Sequence, residues 1–192
     1  MKKNLLIPLL AVFGFALAAP ASAAQYLIDT KNAHAFIQFK ISHLGFSWVL
    51  GRFNEFEGTF SYDENDPSAA SAQVTINPAS VDTNNSERDK HLRSEDFLKV
   101  DEFTQATFTS TGYQPAGEDK GILKGDLTLH GVTRPITIDV THIGAGKDPW
   151  GGYRRGFEGT TTLTLADFGI PMDLGPAARS VEIFLTVEGI RQ

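Results

Sequence analysis

Five histidines (His34, His43, His91, His130 and His142) have the widest chemical repertoire in this chain, which contains no cysteine. A zinc site needs three or four converging ligands, and the local spacings that supply them, HExxH or HxH, do not occur. Ser86, Asp89 and His91 have the residue types of a hydrolytic triad. Triads are assembled in space, however, and no GxSxG elbow accompanies these three. Gly144-Ala145-Gly146-Lys147 is a poor phosphate loop. Thr141 stands where the first glycine belongs, and Asp148 stands where a Ser or Thr would hold magnesium. Asn84-Asn85-Ser86 is a formal glycosylation triplet but serves better as a helix start. Arg88, Asp89, Arg93, Glu95 and Asp96 form a mixed-charge cluster. It reads either as a solvated helix face with local ion pairs or as a polar rim able to meet a ligand head group. None of these groups specifies a reaction. The expectation is a non-enzyme with no catalytic residue and no metal site.

The elements that must carry these residues are strands. In Gly121 to Ile143, Leu123, Gly125, Leu127 and Leu129 share one side, and Lys124, Asp126 and Thr128 share the other. After the turn at His130-Gly131-Val132, Ile136, Ile138 and Val140 alternate with Thr137, Asp139 and Thr141. Period-two alternation marks half-buried strands, here a hairpin. The same pattern recurs at Ala35 to His43, Arg52 to Tyr62, Ala72 to Ile76, Ala106 to Tyr113, Phe157 to Leu165 and Val181 to Val187. Leu44 to Leu50 loses alternation and reads as a turn or short helix. Gly144 to Gly152 and Gly169 to Pro176 read as loops. Asp82 to Val100 gives the one helical candidate after the N-terminal segment, capped by Asn85 or Ser86, with Leu92, Phe97 and Leu98 as its apolar edge.

About eight strands with few helices indicate an all-β fold. Glycines inside strands (Gly58, Gly125, Gly159) fit the bends of a closed barrel, although alternation alone does not separate a barrel from a two-sheet sandwich. Lys40, Lys124, Asp126, Asp139, Glu182 and Glu188 occupy the polar face, which argues against a barrel exposed to lipid. Ile37, Phe39, Phe56, Phe60, Val74, Ile76, Phe108, Leu127, Ile138, Leu163 and Ile183 would point inward. They would make either a packed core or the wall of an apolar tunnel. Phe36, Trp48 and Phe184 fall on outward or irregular positions, so a homodimer is one reading of the outer surface.

Lys2 and Lys3, the apolar run Leu5 to Ala19 and the small-residue site Ala21-Ser22-Ala23 have the layout of a secretory signal peptide. The expected division is a signal peptide over 1–23, cleaved near Ala23, and one barrel domain over 24–192, delivered to the periplasm. Loss of the two lysines takes the formal charge from −6 to −8. An acidic body disfavours nucleic acid and anionic membranes as partners.

HAFIQFKISHLGFSWVLGRFNEFEGTF (34–60), SVDTNNSERDKHLRSEDFLKV (80–100), QATFTST (105–111), GDLTLHGVTRPITI (125–138), DPWGGYRRGFE (148–158) and DLGPA (173–177) together resemble the YceI-like family of bacterial periplasmic proteins. The resemblance implies a lipocalin-like, eight-stranded antiparallel barrel with a short helical segment. It also implies a long-chain isoprenoid lipid, such as an isoprenoid quinone or its precursor, held in the interior. No cofactor beyond that polyisoprenoid ligand and no catalytic residue is implied. The expected activity is binding or carriage without covalent chemistry, and the eleven inward residues are the expected lipid contacts. Two other readings are an enzyme acting on an amphiphile through His43, His91 or Asp89, and a stress-related interaction protein with a packed core.

Overall fold

The structure is a computed structural model that describes residues 23–192; the segment read as a signal peptide lies outside the described residues except for Ala23. Among the described residues, eleven strands form one antiparallel sheet. They are β1 (Ala24–Ile28), β2 (Phe36–His43), β3 (Ser47–Phe53), β4 (Phe56–Tyr62), β5 (Ser71–Ile76) and β6 (Val81–Asp82), then, after the helix α1 (Ser86–Arg93), β7 (Ala106–Pro115), β8 (Lys120–Leu129), β9 (Val132–Lys147), β10 (Tyr153–Thr164) and β11 (Ser180–Arg191).

Eight of these strands close a ring. β1 pairs with β4, β4 with β5, β5 with β7, and β7 through β11 pair in succession. β11 returns to β1 through Ile28 opposite Gly189. The other three strands extend the wall. The first half of β11 (Val181–Thr186) pairs with β2, β2 pairs with β3, and β3 pairs with β6. The chain therefore kinks between β1 and β2, between β3 and β4, and between β5 and β6, and each pair forms one broken staff of the barrel. Closure leaves the ring without an unpaired edge. At the other end, β6 pairs only with β3 among the described residues. There α1 and the segment after it fill the gap before β7.

Local chemistry explains these elements. His130 and Gly131 both have positive φ (51° and 73°), as a two-residue hairpin turn between β8 and β9 requires. Asn85 caps α1, its side-chain oxygen accepting from Arg88 N at 3.0 Å. Asp89 on the inner face of α1 is buried and accepts from Thr83 N at 2.9 Å, which ties the helix to the end of β6.

Two readings of the sequence are corrected. Leu44 to Leu50 is not a helix: the turn is brief and β3 begins at Ser47. The alternation was hidden because Trp48 and Leu50 are apolar yet face outward, 59 % and 65 % exposed. Gly144 to Lys147 continues β9 rather than forming a loop, paired with β10 up to Tyr153 opposite Lys147. Glycine content suggested a loop, but ladder hydrogen bonds do not depend on side chains.

The apolar faces point inward and the charged ones outward. Lys124, Asp126, Asp139 and Glu182 are exposed between buried or half-buried neighbours on the same strands. One cluster of buried side chains comprises Phe108, Leu127, Ile138, Leu163, Phe168 and Val181. A second cluster, Tyr26, Ile28, Ala35 and Phe60, lies near the fully bonded end.

Candidate functional site

Inward side chains of a packed barrel would be fully inaccessible. Phe39, Phe56, Val74, Ile76 and Ile183 are only half-buried although they point inward. The reason is a cavity of about 400 Å³ along the barrel interior, within the range of roughly 300–1,000 Å³ usual for small-molecule sites. Ten of the eleven residues expected to face inward line it: Ile37, Phe39, Phe56, Val74, Ile76, Phe108, Leu127, Ile138, Leu163 and Ile183. Phe60 does not. It stacks on Tyr26 at 4.7 Å between ring centroids and meets Phe157 edge-on at 5.5 Å, beneath the cavity floor. Alternation placed Phe60 on the correct face; its depth along the barrel axis depended on strand stagger.

The floor ends in a buried guanidinium. Arg155, 3 % exposed, lies with its guanidinium carbon 4.4 Å from the Tyr62 ring centroid. Its Nη1 is 3.1 Å from His142 Nε2, and Nη2 donates to Glu64 on the loop after β4. Arg154 points outward on the same strand. It donates to Asp29 (Nη1, 2.7 Å), to Asp148 (Nε, 2.8 Å) and to Glu188. Burial alone would raise the pKa of Asp29; bonds from Arg154, His34 and Asn32 outweigh it and hold that carboxyl at about 2. Asp29, His34 and Glu188 converge closely enough to hold a cation, and the Arg154 guanidinium supplies positive charge there. Sequence reasoning left these two arginines inside a family motif without roles. Their adjacency on a strand was the available signal, because neighbouring strand residues face opposite sides.

The other end is the mouth. Polar side chains in the cavity wall are Ser42, His43, Arg88, His91 and, at mid-depth, Thr161. Leu92, Phe97 and Leu98, the expected apolar edge of the helical segment, all reach the cavity. The local triad is not assembled as a catalytic unit. Asp89 is engaged by Thr83, and His91 Nε2 lies 2.9 Å from Asp96 Oδ2. The mixed-charge cluster thus divides: Asp89 is buried, Arg88 and His91 border the cavity, and Arg93 donates to the carbonyl of Val81 at 3.2 Å.

An eight-stranded ring with an apolar interior and a helix across its open end can be compared with known proteins. Residues 26–189 match the YceI-like domain. The chain belongs to the YceI-like family. Family relatives include a UPF0312 protein of Shewanella baltica, 56 % identical over the full length of both chains. Another, from Pseudomonas aeruginosa, is 59 % identical over 91 % of each chain. Among solved structures of this fold, the YceI protein of Campylobacter jejuni superposes with a TM-score of 0.71 at 30 % identity, covering 80 % of this chain and 91 % of that one. A polyisoprenoid binding domain from Saccharophagus degradans superposes with a TM-score of 0.64 at 18 % identity, covering 89 % and 100 %. The last match is one of fold.

Proposed function

We propose that this YceI-like protein is a binding protein that holds a long apolar chain, of the polyisoprenoid type, inside its barrel and performs no covalent chemistry on it. The observation that carries this reading is the cavity itself: about 400 Å³ walled by aliphatic and aromatic side chains from β2 through β11. Such a space stays dry and favours hydrocarbon. Each CH₂ moved into it from water contributes about 0.8 kcal/mol before the cost of ordering the chain. The polyisoprenoid binding domain of the same fold supports the ligand class. The signal-peptide layout of residues 1–23 supports a periplasmic location as part of this reading. One experiment addresses both parts. Protein exported by its own N-terminal segment is purified from the periplasmic fraction and examined by native mass spectrometry. The expected result is a processed chain beginning near Ala24 that carries a lipid-sized adduct. Repeated recovery of an adduct-free protein, able to take up no added isoprenoid, would count against the proposal.

A further inference from the structure

Every ionisable side chain in the cavity wall is basic: His43, Arg88 and His91, with no carboxylate among the described lining residues. This stands out in a chain whose formal charge is −6. All three come from the rim, His43 from the end of β2 and the other two from α1. Arg88 is the fixed member. Its Nε donates to Thr83 Oγ1 and its Nη2 to Thr83 O, both at 2.7 Å. Thr83 is buried, and its hydroxyl in turn donates to the buried carboxylate of Asp89. The side chain is therefore braced at two points. Its Nη1 makes no hydrogen bond among the described residues, and Arg88 belongs to none of their ion pairs. His91 is oriented by Asp96 on one side and by the edge of Phe97 at 5.0 Å on the other. Lining residues thus change along the tunnel from hydrocarbon to a pre-oriented cation.

We propose that the cavity selects amphiphiles with an oxyanion head group, a phosphate or a carboxylate, seated at the mouth on Arg88 with His43 and His91 beside it. This inference rests on the binding reading above and specifies its ligand. The chemistry is charge complementarity. A guanidinium with free N–H groups matches the paired oxygens of an oxyanion, and the bond is stronger than one to a neutral hydroxyl. A like-charged rim would reject such a head group, and a neutral one would be indifferent to it.

The test uses delipidated exported protein and two chain-matched pairs, geranylgeranyl phosphate with geranylgeraniol and palmitate with hexadecanol. Dissociation constants are measured for the wild type, R88Q and R88K, with thermal unfolding to establish that each variant is folded. The expected result is that at least one acid binds about tenfold or more tightly than its alcohol. R88Q should bring that ratio near one, and R88K should restore part of it. Discrimination in one pair alone identifies the head group as phosphate or carboxylate. Equal binding of acids and alcohols by the wild type overturns the head-group inference and leaves the carrier reading standing. So does a ratio that R88Q leaves unchanged. Binding of none of the four compounds overturns both.

Discussion

The end of the Phe39 ring rests on the backbone of Gly51, its partner in the facing strand: a Cβ at Gly51 would lie 2.2 Å from Phe39 Cζ. The ring thereby lies along the wall instead of crossing the cavity. Gly125 gives the Phe108 ring the same clearance, a Cβ there falling 2.4 Å from Phe108 Cζ. Two strand glycines therefore hold the tunnel open. For Gly51→Ala we predict a loss of about 1–3 kcal/mol, as in overpacked cores, with Phe39 swung inward and lipid uptake reduced. Adding Phe39→Leu should recover much of both losses. Urea unfolding and titration with an isoprenoid check the pair.

Ile183 faces the void from the first half of β11. Ile183→Trp should fill it without disturbing the outer surface. The expected variant unfolds within a few degrees of the wild type, since filling an empty apolar space is commonly stabilising rather than costly, but is purified without a lipid adduct. Native mass spectrometry beside calorimetry reads both quantities. A variant that keeps its full lipid load would show that the ligand lies elsewhere.

Arg154 and Asp29 link acid stability to one ion cluster. The Asp29 carboxyl is lowered from 3.8 to about 2 in the folded chain. Its contribution is complete above the unfolded value and disappears as pH falls toward 2. The shift corresponds to at most about 2.5 kcal/mol. Asp148, lowered by bonds from Gly152 and Arg154 that outweigh its burial, acts in the same direction. In Arg154→Met the slope of stability between pH 4 and pH 2 should flatten, and neutral stability should fall by about 3 kcal/mol because Asp29 stays buried without its cation. Urea midpoints across that range decide the matter.

Arg155 sits under the floor with its charge met by the exposed Glu64. Glu64→Gln should cost about 1–2 kcal/mol, leaving a buried guanidinium with a weaker acceptor. The double variant Glu64→Gln, Arg155→Met should be more stable than Glu64→Gln alone, since a methionine beside the Tyr62 ring carries no buried charge that needs a partner. Thermal unfolding of the three proteins tests the order.

Ten of the predicted wall residues were legible because alternation reports which side of a strand is wet. The exceptions have physical causes. Phe60 lies on the inner face but below the cavity, at a depth set by its pairing with Tyr26 on β1. Trp48 and Leu50 concealed β3 because outward apolar residues erase the pattern. The Arg155 plug brings together Glu64 and His142 from separate hairpins, a contact that no local window contains.

From its order of residues alone, the chain dictates an all-β body with charges outside, a capped helix between the strands at Ala72–Ile76 and Ala106–Tyr113, and kinship with the YceI-like family. The strands and the helix depend on neighbours two to four positions apart, and the kinship on motifs spread along the chain. Whether the apolar faces meet or stand apart could not be read that way, because packed and hollow barrels share one periodicity. Ring size, the kinks in three staffs and the clearance over Gly51 and Gly125 set that distance, and with it the cavity. Only closure of the sheet brought Arg88, His43 and His91 to one rim.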